Sequence, residues 1–210
     1  GQHRPTIDIP SIMNNNRILI VNLSKGELGE GPSYLLGAPL STSFSQAAQA
    51  RASIREEDRK DFHFYADEFQ NFATDSFASI LSEARKYRLS LTFAHQFLGQ
   101  LPPLLRKAVL GNAGSLIAFR IGAEDAEVLA PELGIASPSA LCELSNYQAW
   151  ARLIHDGNPT DPFRLNTAYP RLDFGRADAV VSRTRARYTR PRAKVEAEID
   201  RFISNPRPLS

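Results

Sequence analysis

Three short apolar runs, Arg17-Ile-Leu-Ile-Val-Asn22, Asp61-Phe-His-Phe-Tyr-Ala66 and Leu89-Ser-Leu-Thr-Phe-Ala94, alternate along the chain with stretches of helical spacing. Runs this short, rich in β-branched and aromatic residues, read as strands buried in a parallel sheet. Turn residues fill Ser24–Ser33, after which Leu35, Leu36, Leu40, Phe44, Ala47, Ala48 and Ala52 recur at helical intervals. A second helix is expected over Ser76–Tyr87, with Phe77, Ile80, Leu81 and Ala84 on one face. Pro102 and Pro103 open a third that runs to Leu110, Gly114–Arg120 reads as a fourth strand, and Glu124–Leu133 as a helix with acids in its first turn. This order predicts an α/β domain with a mostly parallel sheet flanked by helices. Tyr147–Ile154 and Phe163–Thr167, joined by the turn-rich 156–162, read instead as a terminal hairpin or edge pair. Beyond Gly175 the apolar pattern fades and returns weakly at Val195, Ile199, Phe202 and Ile203, which predicts a short amphipathic helix.

Composition narrows the function classes. In 210 residues there is one cysteine and there are four histidines, which excludes a disulfide-stapled secreted module and a Cys/His zinc site and fits a reducing compartment. No apolar run approaches the roughly 18–20 residues that span a bilayer, and no signal-peptide pattern opens the chain. The first residue is Gly1 rather than methionine, and the chain reads as a piece of a longer product.

The net charge of +2 conceals a division. Residues 175–210 hold nine Arg and Lys against four acids, a net of +5, so the remainder carries −3. A basic tail on a mildly acidic body suits a polyanion or an acidic neighbouring surface, and equally a solvated tail.

Chemistry is expected where apolar strands end, because ligands of α/β proteins gather at the carboxyl ends of strands. Asp67 and Glu68 follow the second run directly, and Gln96 follows the third. Adjacent carboxylates at a strand tip suit a Mg²⁺-bound water and an attacking water, or a cap and a solvated side chain. Arg85 and Lys86 close the intervening helix, where cations also suit the helix dipole; arginine is further suited to charge developing on a transferring phosphoryl group.

The order strand-Asp-Glu, helix-Arg-Lys, strand-Gln resembles the coupling-protein ATPases of conjugation and type IV secretion (TraD/TraG-like), relatives of the FtsK and HerA translocases. Arg17–Gly26 is similar to the strand and loop before that family's Walker B. Asn112–Arg120 with Asp125-Ala126 is similar to the segment after its glutamine motif, and Pro162-Phe163 and Tyr188–Glu196 to its C-terminal portion, so the resemblance spans about residues 10–205. It implies a RecA-like P-loop NTPase fold. It further implies that Asp67 assists Mg²⁺, that Glu68 polarises the hydrolytic water, that Gln96 senses the γ-phosphate, and that Arg85 is an arginine finger acting on a neighbouring subunit, with Lys86 as its substitute. Arg120 is carried over only as an interface or phosphate-proximal residue. ATP and Mg²⁺ are the implied cofactors. DNA, further copies of the chain in a hexameric ring, and secretion or relaxosome proteins are the implied partners. The implied location is the bacterial cytoplasm, with anchoring at the inner membrane through upstream regions left open.

One element departs from the family. No Gly-x-x-x-x-Gly-Lys-Ser/Thr string occurs, and the Gly26–Gly31 stretch lacks its Lys-Ser/Thr and carries two carboxylates that repel phosphate. The chain therefore reads as the C-terminal half of a motor over residues 1–174, carrying a basic tail over 175–210 in which Arg183, Arg185, Arg187, Arg190 and Arg192 are candidate DNA or partner contacts. The expected function is part of an ATP-driven DNA translocase. The alternative is a non-catalytic DNA- or protein-binding module using the tail. A metal-dependent nuclease is weakest, because no third acid and lysine stand at nuclease spacing. Cys142 reads as a small buried or half-buried residue, His63 as packed or edge-facing, Trp150 as core of the terminal strand, and His95 as positional.

Overall fold

The computed structural model describes residues 7–72, 75–169 and 175–204, without the side chains of residues 75–77; Phe77, expected on the second helix's apolar face, lies outside the described side chains. The elements in chain order are α1 (Ile9–Asn14), α2 (Lys25–Leu28), α3 (Glu30–Ala50), β1 (Phe62–Ala66), α4 (Asp75–Glu83), β2 (Leu89–Phe93), α5 (Pro103–Asn112), β3 (Leu116–Ala118), α6 (Ala123–Leu133), α7 (Ser139–Cys142), β4 (Gln148–Arg152), β5 (Ile154–His155), β6 (Asn158–Pro159), β7 (Phe163–Asn166), α8 (Ala177–Tyr188) and α9 (Arg192–Ser204). Residues 9–169 form one unit, and the tail helices belong to another.

The expected α/β organisation is present, with a small parallel sheet. β1 and β2 run parallel, Phe62 opposite Leu89 through to Ala66 opposite Phe93, with α4 between them in the chain. One face of this pair is covered by α3, whose buried Phe44 stacks 5.9 Å from Phe62 and meets Phe64 edge-on at 5.0 Å. Burying such a ring contributes about 2 kcal/mol. Ile80, Leu89, Leu105 and Phe69 close the same core. A second core gathers Ala126, Ala130, Leu133, Leu141 and Leu144 under the half-buried Trp150. Here β4 pairs antiparallel with β3 on one side and β7 on the other, so the terminal hairpin forms as the spacing predicts, with β5 and β6 as a small ribbon at its tip.

Several elements differ from the expectation. Arg17–Asn22 is not a strand: among the described residues no strand lies beside it to take its backbone hydrogen bonds, and Ile18 and Ile20 are 90% and 82% exposed. Only Leu19 of this run packs on the core. β1 is buried on one face rather than both, with Tyr65 72% exposed. The cause is legible in Phe62-His-Phe-Tyr65, where Phe62 and Phe64 alternate with His63 and Tyr65, the period of a one-sided strand; the bulk of Tyr65 disguises it as a continuous run. The fourth expected strand is present only as β3 and joins the antiparallel sheet. The turn-rich Ser24–Ser33 already contains α2 and the first turn of α3, and Leu35 and Leu36 face solvent. In the tail the amphipathic helix forms as α9, with Ile199, Phe202 and Ile203 exposed. Helix α8 precedes it without any apolar stripe to announce it.

The least expected core residue is Arg51, 1% exposed. Its guanidinium donates to the carbonyls of Met13 at 2.7 Å, Tyr87 at 2.9 Å and Lys60 at 3.0 Å, and to Asn14 Oδ1 at 3.0 Å. Burial pushes its pKa down, against the pull of Asp61. Arg59 reinforces the same place, donating to the carbonyls of Arg51, Ile54 and Lys86. Together they join α1, the end of α3, the approach to β1 and the turn before β2. Arg51→Ala leaves these buried acceptors without donors and should cost about 3–5 kcal/mol in urea unfolding. Arg51→Lys should recover only part of that, because an ammonium cannot reproduce the planar fork.

Candidate functional site

Two hydrogen bonds tie the carboxyl ends of β1 and β2 together: Ala94 donates to the Ala66 carbonyl at 2.9 Å and Phe69 to the Ala94 carbonyl at 3.1 Å. The rings of Phe69 and Phe93 stack at 4.0 Å beneath. The chain leaving β1 reverses at Glu68, which adopts the left-handed conformation at φ 50°, ψ 44°. For a non-glycine residue this costs roughly 1–2 kcal/mol, and such strain gathers at functional sites. Asp67, at the exposed tip, accepts the Glu68 N–H on Oδ1 at 3.0 Å.

That reversal lets three separate side chains meet. Gln96 donates from Nε2 to Glu68 Oε1 at 2.7 Å, and Gln70 donates to the other carboxylate oxygen. The two amides, Gln96 first, hold the Glu68 carboxyl below the usual glutamate range, with Lys25 and His95 adding to the effect. Glu68 is thus an ionised acceptor aimed by amides. Asp67, Glu68 and Gln96, chosen from the sequence, lie together at the strand tips. His95, half-buried beside them, is held below the ordinary histidine range by that burial, against the pull of Asp125 and Glu68.

Other expected residues lie elsewhere. Arg85 sits on the 3-10 turn Ala84–Tyr87 at the amino end of β2, where Phe62 donates to the Arg88 carbonyl at 2.9 Å and Arg88 pairs with Asp61 at 3.4 Å. At about 3.3 Å per residue, the length of β2 puts this pole roughly 15 Å from Glu68. The Arg85 side chain is exposed and makes no hydrogen bond or ion pair among the described residues, whereas Lys86 is taken up by Glu83 at 3.0 Å. Of the two cations, Arg85 is therefore the available one. Arg120 is exposed after β3, in no ion pair among the described residues.

Sequence reasoning missed Gln70, Lys25 and Gln100 and gave Asp125 no role. Gln70 faces the site only because Glu68 is left-handed. Lys25 arrives because Leu23 and Phe72 both press on Gly37 of α3, where a Cβ would lie 2.9 Å from Phe72 and 3.2 Å from Leu23; this brings the 22–25 segment against the turn that follows Glu68. A Glu followed two residues later by Gln at a strand tip is the one signal that pointed to Gln70.

Residues 61–143, less than half of the chain, match a family model described as the TraM recognition site of TraD and TraG. That segment is TraD/TraG-like. It contains every member of the cluster except Lys25. Among curated proteins nothing matches. Among solved structures, the chain is similar to the genome packaging NTPase B204 of Sulfolobus turreted icosahedral virus 2 in complex with AMPPCP, with TM-score 0.52 and 11% identity over 78% of this chain and 73% of that one. The same NTPase in complex with ATP-gammaS aligns at TM-score 0.49 and 12% identity, over 75% and 71% of the two chains. The likeness to B204 is one of fold.

His95 links this site to pH. As pH falls through the ordinary histidine value of 6.5, the unfolded chain takes up the proton before the folded chain does, so stability contributed by the neutral ring is present above that value and declines below it. Urea midpoints at about pH 7 and about pH 5.5 should therefore differ more in the wild type than in His95→Gln.

Proposed function

We propose that this chain is part of an ATP-driven DNA motor of the TraD/TraG type, and that the Glu68–Gln96 pair at the strand tips is its water-activating and phosphate-sensing element. The single observation that carries the reading is the 2.7 Å hydrogen bond between Gln96 and Glu68 across the ends of two parallel strands. The TraD/TraG match over residues 61–143 and the fold shared with a packaging NTPase support it.

The residues present fit part of a nucleotide site. Gln70 Oε1 is buried beside Glu68 with no donor among the described residues, an acceptor suited to a bound water. Asp67 offers one exposed carboxylate, enough for a Mg²⁺ that keeps its waters and shares phosphate oxygens. No group of three His, Cys, Asp or Glu suited to a metal exists among the described residues, so an all-protein metal cage does not fit. Nor does the sequence supply a phosphate cradle of the P-loop kind. Bound MgATP would supply the electrophilic γ-phosphoryl group; a P-loop from a further segment would hold the rest of the triphosphate.

Within this division Glu68 orients the water as an ionised acceptor, Gln70 fixes its far side and Gln96 reports whether γ-phosphate is present. Arg85, at the opposite pole and unpaired, serves the nucleotide of a neighbouring copy in a ring. In the motor assembled with its P-loop segment, Glu68→Gln should lower DNA-stimulated ATP turnover about a hundredfold or more. Mixing inactive Glu68→Gln with inactive Arg85→Ala should restore partial turnover, because each supplies what the other lacks. Equal turnover in wild type and Glu68→Gln removes Glu68 from the reaction, and no rescue on mixing removes Arg85 from the neighbour's site.

The tail adds a DNA contact narrower than the sequence suggests. Arg190 and Arg192 are paired with Glu198 and Glu196 of α9. Arg183 and Arg187, with Arg176 two turns before, recur at helical spacing along one side of α8, exposed and in no ion pair among the described residues. Arg185 falls on the opposite side. Replacing Arg176, Arg183 and Arg187 together by alanine should flatten the dependence of log affinity for duplex DNA on log salt by about 2 to 3, whereas Arg190→Ala with Arg192→Ala should change it little. The TraM named in the family description is the protein partner class proposed for residues 61–143.

A further inference from the structure

The loop leaving β2 carries its own scaffold. Gln96 and Phe97 both donate their backbone N–H to Gln100 Oε1, at 3.1 and 3.3 Å, and Leu98 donates to Asp125 Oδ2 at 2.9 Å. Three successive N–H groups thus end on two side chains instead of on a strand or helix ladder. Leu98 and Leu101 are buried and anchor the loop from below.

Asp125 is the unusual member. It lies in the first turn of α6, three residues after the N-cap Gly122, where an acid favours the helix dipole and would ordinarily turn back to cap its own helix. No side-chain cap bond forms; the carboxylate is only 8% exposed and reaches across to Leu98. A buried carboxylate is costly unless it is hydrogen-bonded, and the dipole of α6 offsets part of that cost while the oxygen is used elsewhere.

We propose that Gln100 and Asp125 are positioning residues that fix the Gln96 amide against Glu68 and thereby fasten α6, and the second core it belongs to, to the strand-tip site. Movement of α6 then alters the Gln96–Glu68 bond, and loss of that bond frees the loop to follow α6. The charged and titratable groups around the bond are Asp67, Lys25, His95 and Asp125, with Glu30 paired to Lys25 at 3.0 Å. The proposal rests on Glu68 being the working carboxylate, yet its test reads the Gln96 amide and needs no turnover.

The test reads the Gln96 side-chain amide by proton–nitrogen NMR at one fixed pH in the full 210-residue chain, with urea unfolding in parallel. Glu68→Ala should shift the Gln96 Nε2 protons upfield and speed their exchange with solvent several-fold, the signature of the lost bond. Gln100→Ala and Asp125→Ala should shift them in the same direction by less, and should add nothing in a Glu68→Ala background. Gln100→Glu, which keeps an acceptor at the same reach, should restore the wild-type amide signal. Should Asp125→Ala not fold, Asp125→Asn, which keeps the shape with a weaker acceptor, takes its place. A Gln96 amide unmoved in the Gln100 and Asp125 variants, or moved equally with and without Glu68, overturns the proposal, even where their stability falls. A motor without ATP turnover alongside the expected amide shifts would remove the function proposed above and leave this coupling standing.

Discussion

The guanidinium of Arg51, sunk in the core and bonded to oxygens from three parts of the chain, is the contact on which the first half of the structure turns. A helix, a strand approach and a turn end in carbonyls that point at one spot, and unpaired they would be as costly there as anywhere in the protein. One planar fork answers all of them without a carboxylate partner, which spares the fold the desolvation of a second ion. Because two of those carbonyls flank the β1–β2 pair at its amino end, the same residue that closes the core fixes the level at which both strands begin. Strand lengths are equal, so the level of their carboxyl ends follows.

Those carboxyl ends are where the polar residues converge. Strand pairing brings Ala66 and Ala94 side by side, the left-handed Glu68 turns the chain back, and amides from two elements close on one carboxylate. The arrangement is economical in residue types: one acid, two amides and, among the described residues, no lysine or arginine in direct contact. Its charge is therefore governed by hydrogen bonding more than by ion pairing, which is what holds the carboxyl below the usual glutamate range.

Much of this was legible beforehand. The alternation of apolar runs and helical stretches marked α4, β1, β2 and the terminal hairpin, and the acid pair and glutamine following two strands marked the site. What escaped has common causes. Arg17–Asn22 has a strand's composition, but a strand exists only with a neighbour, and composition does not report one. Arg51 and Arg59 look like ordinary surface arginines because nothing in their flanks records that carbonyls converge on them. Gln70 and Gln100 act through turn geometry spanning two to four residues, which periodicity cannot sense. Helix α8 has no apolar face, so hydrophobic spacing was blind to it.

The separation of Glu68 and Arg85 to opposite poles of one two-stranded sheet carries a kinetic consequence. A single phosphate cannot touch both side chains of the same copy, so any step that needs both is at least second order in protein. Its rate per molecule should fall on dilution, and reach a plateau only when copies remain associated, whatever the concentration of small molecules.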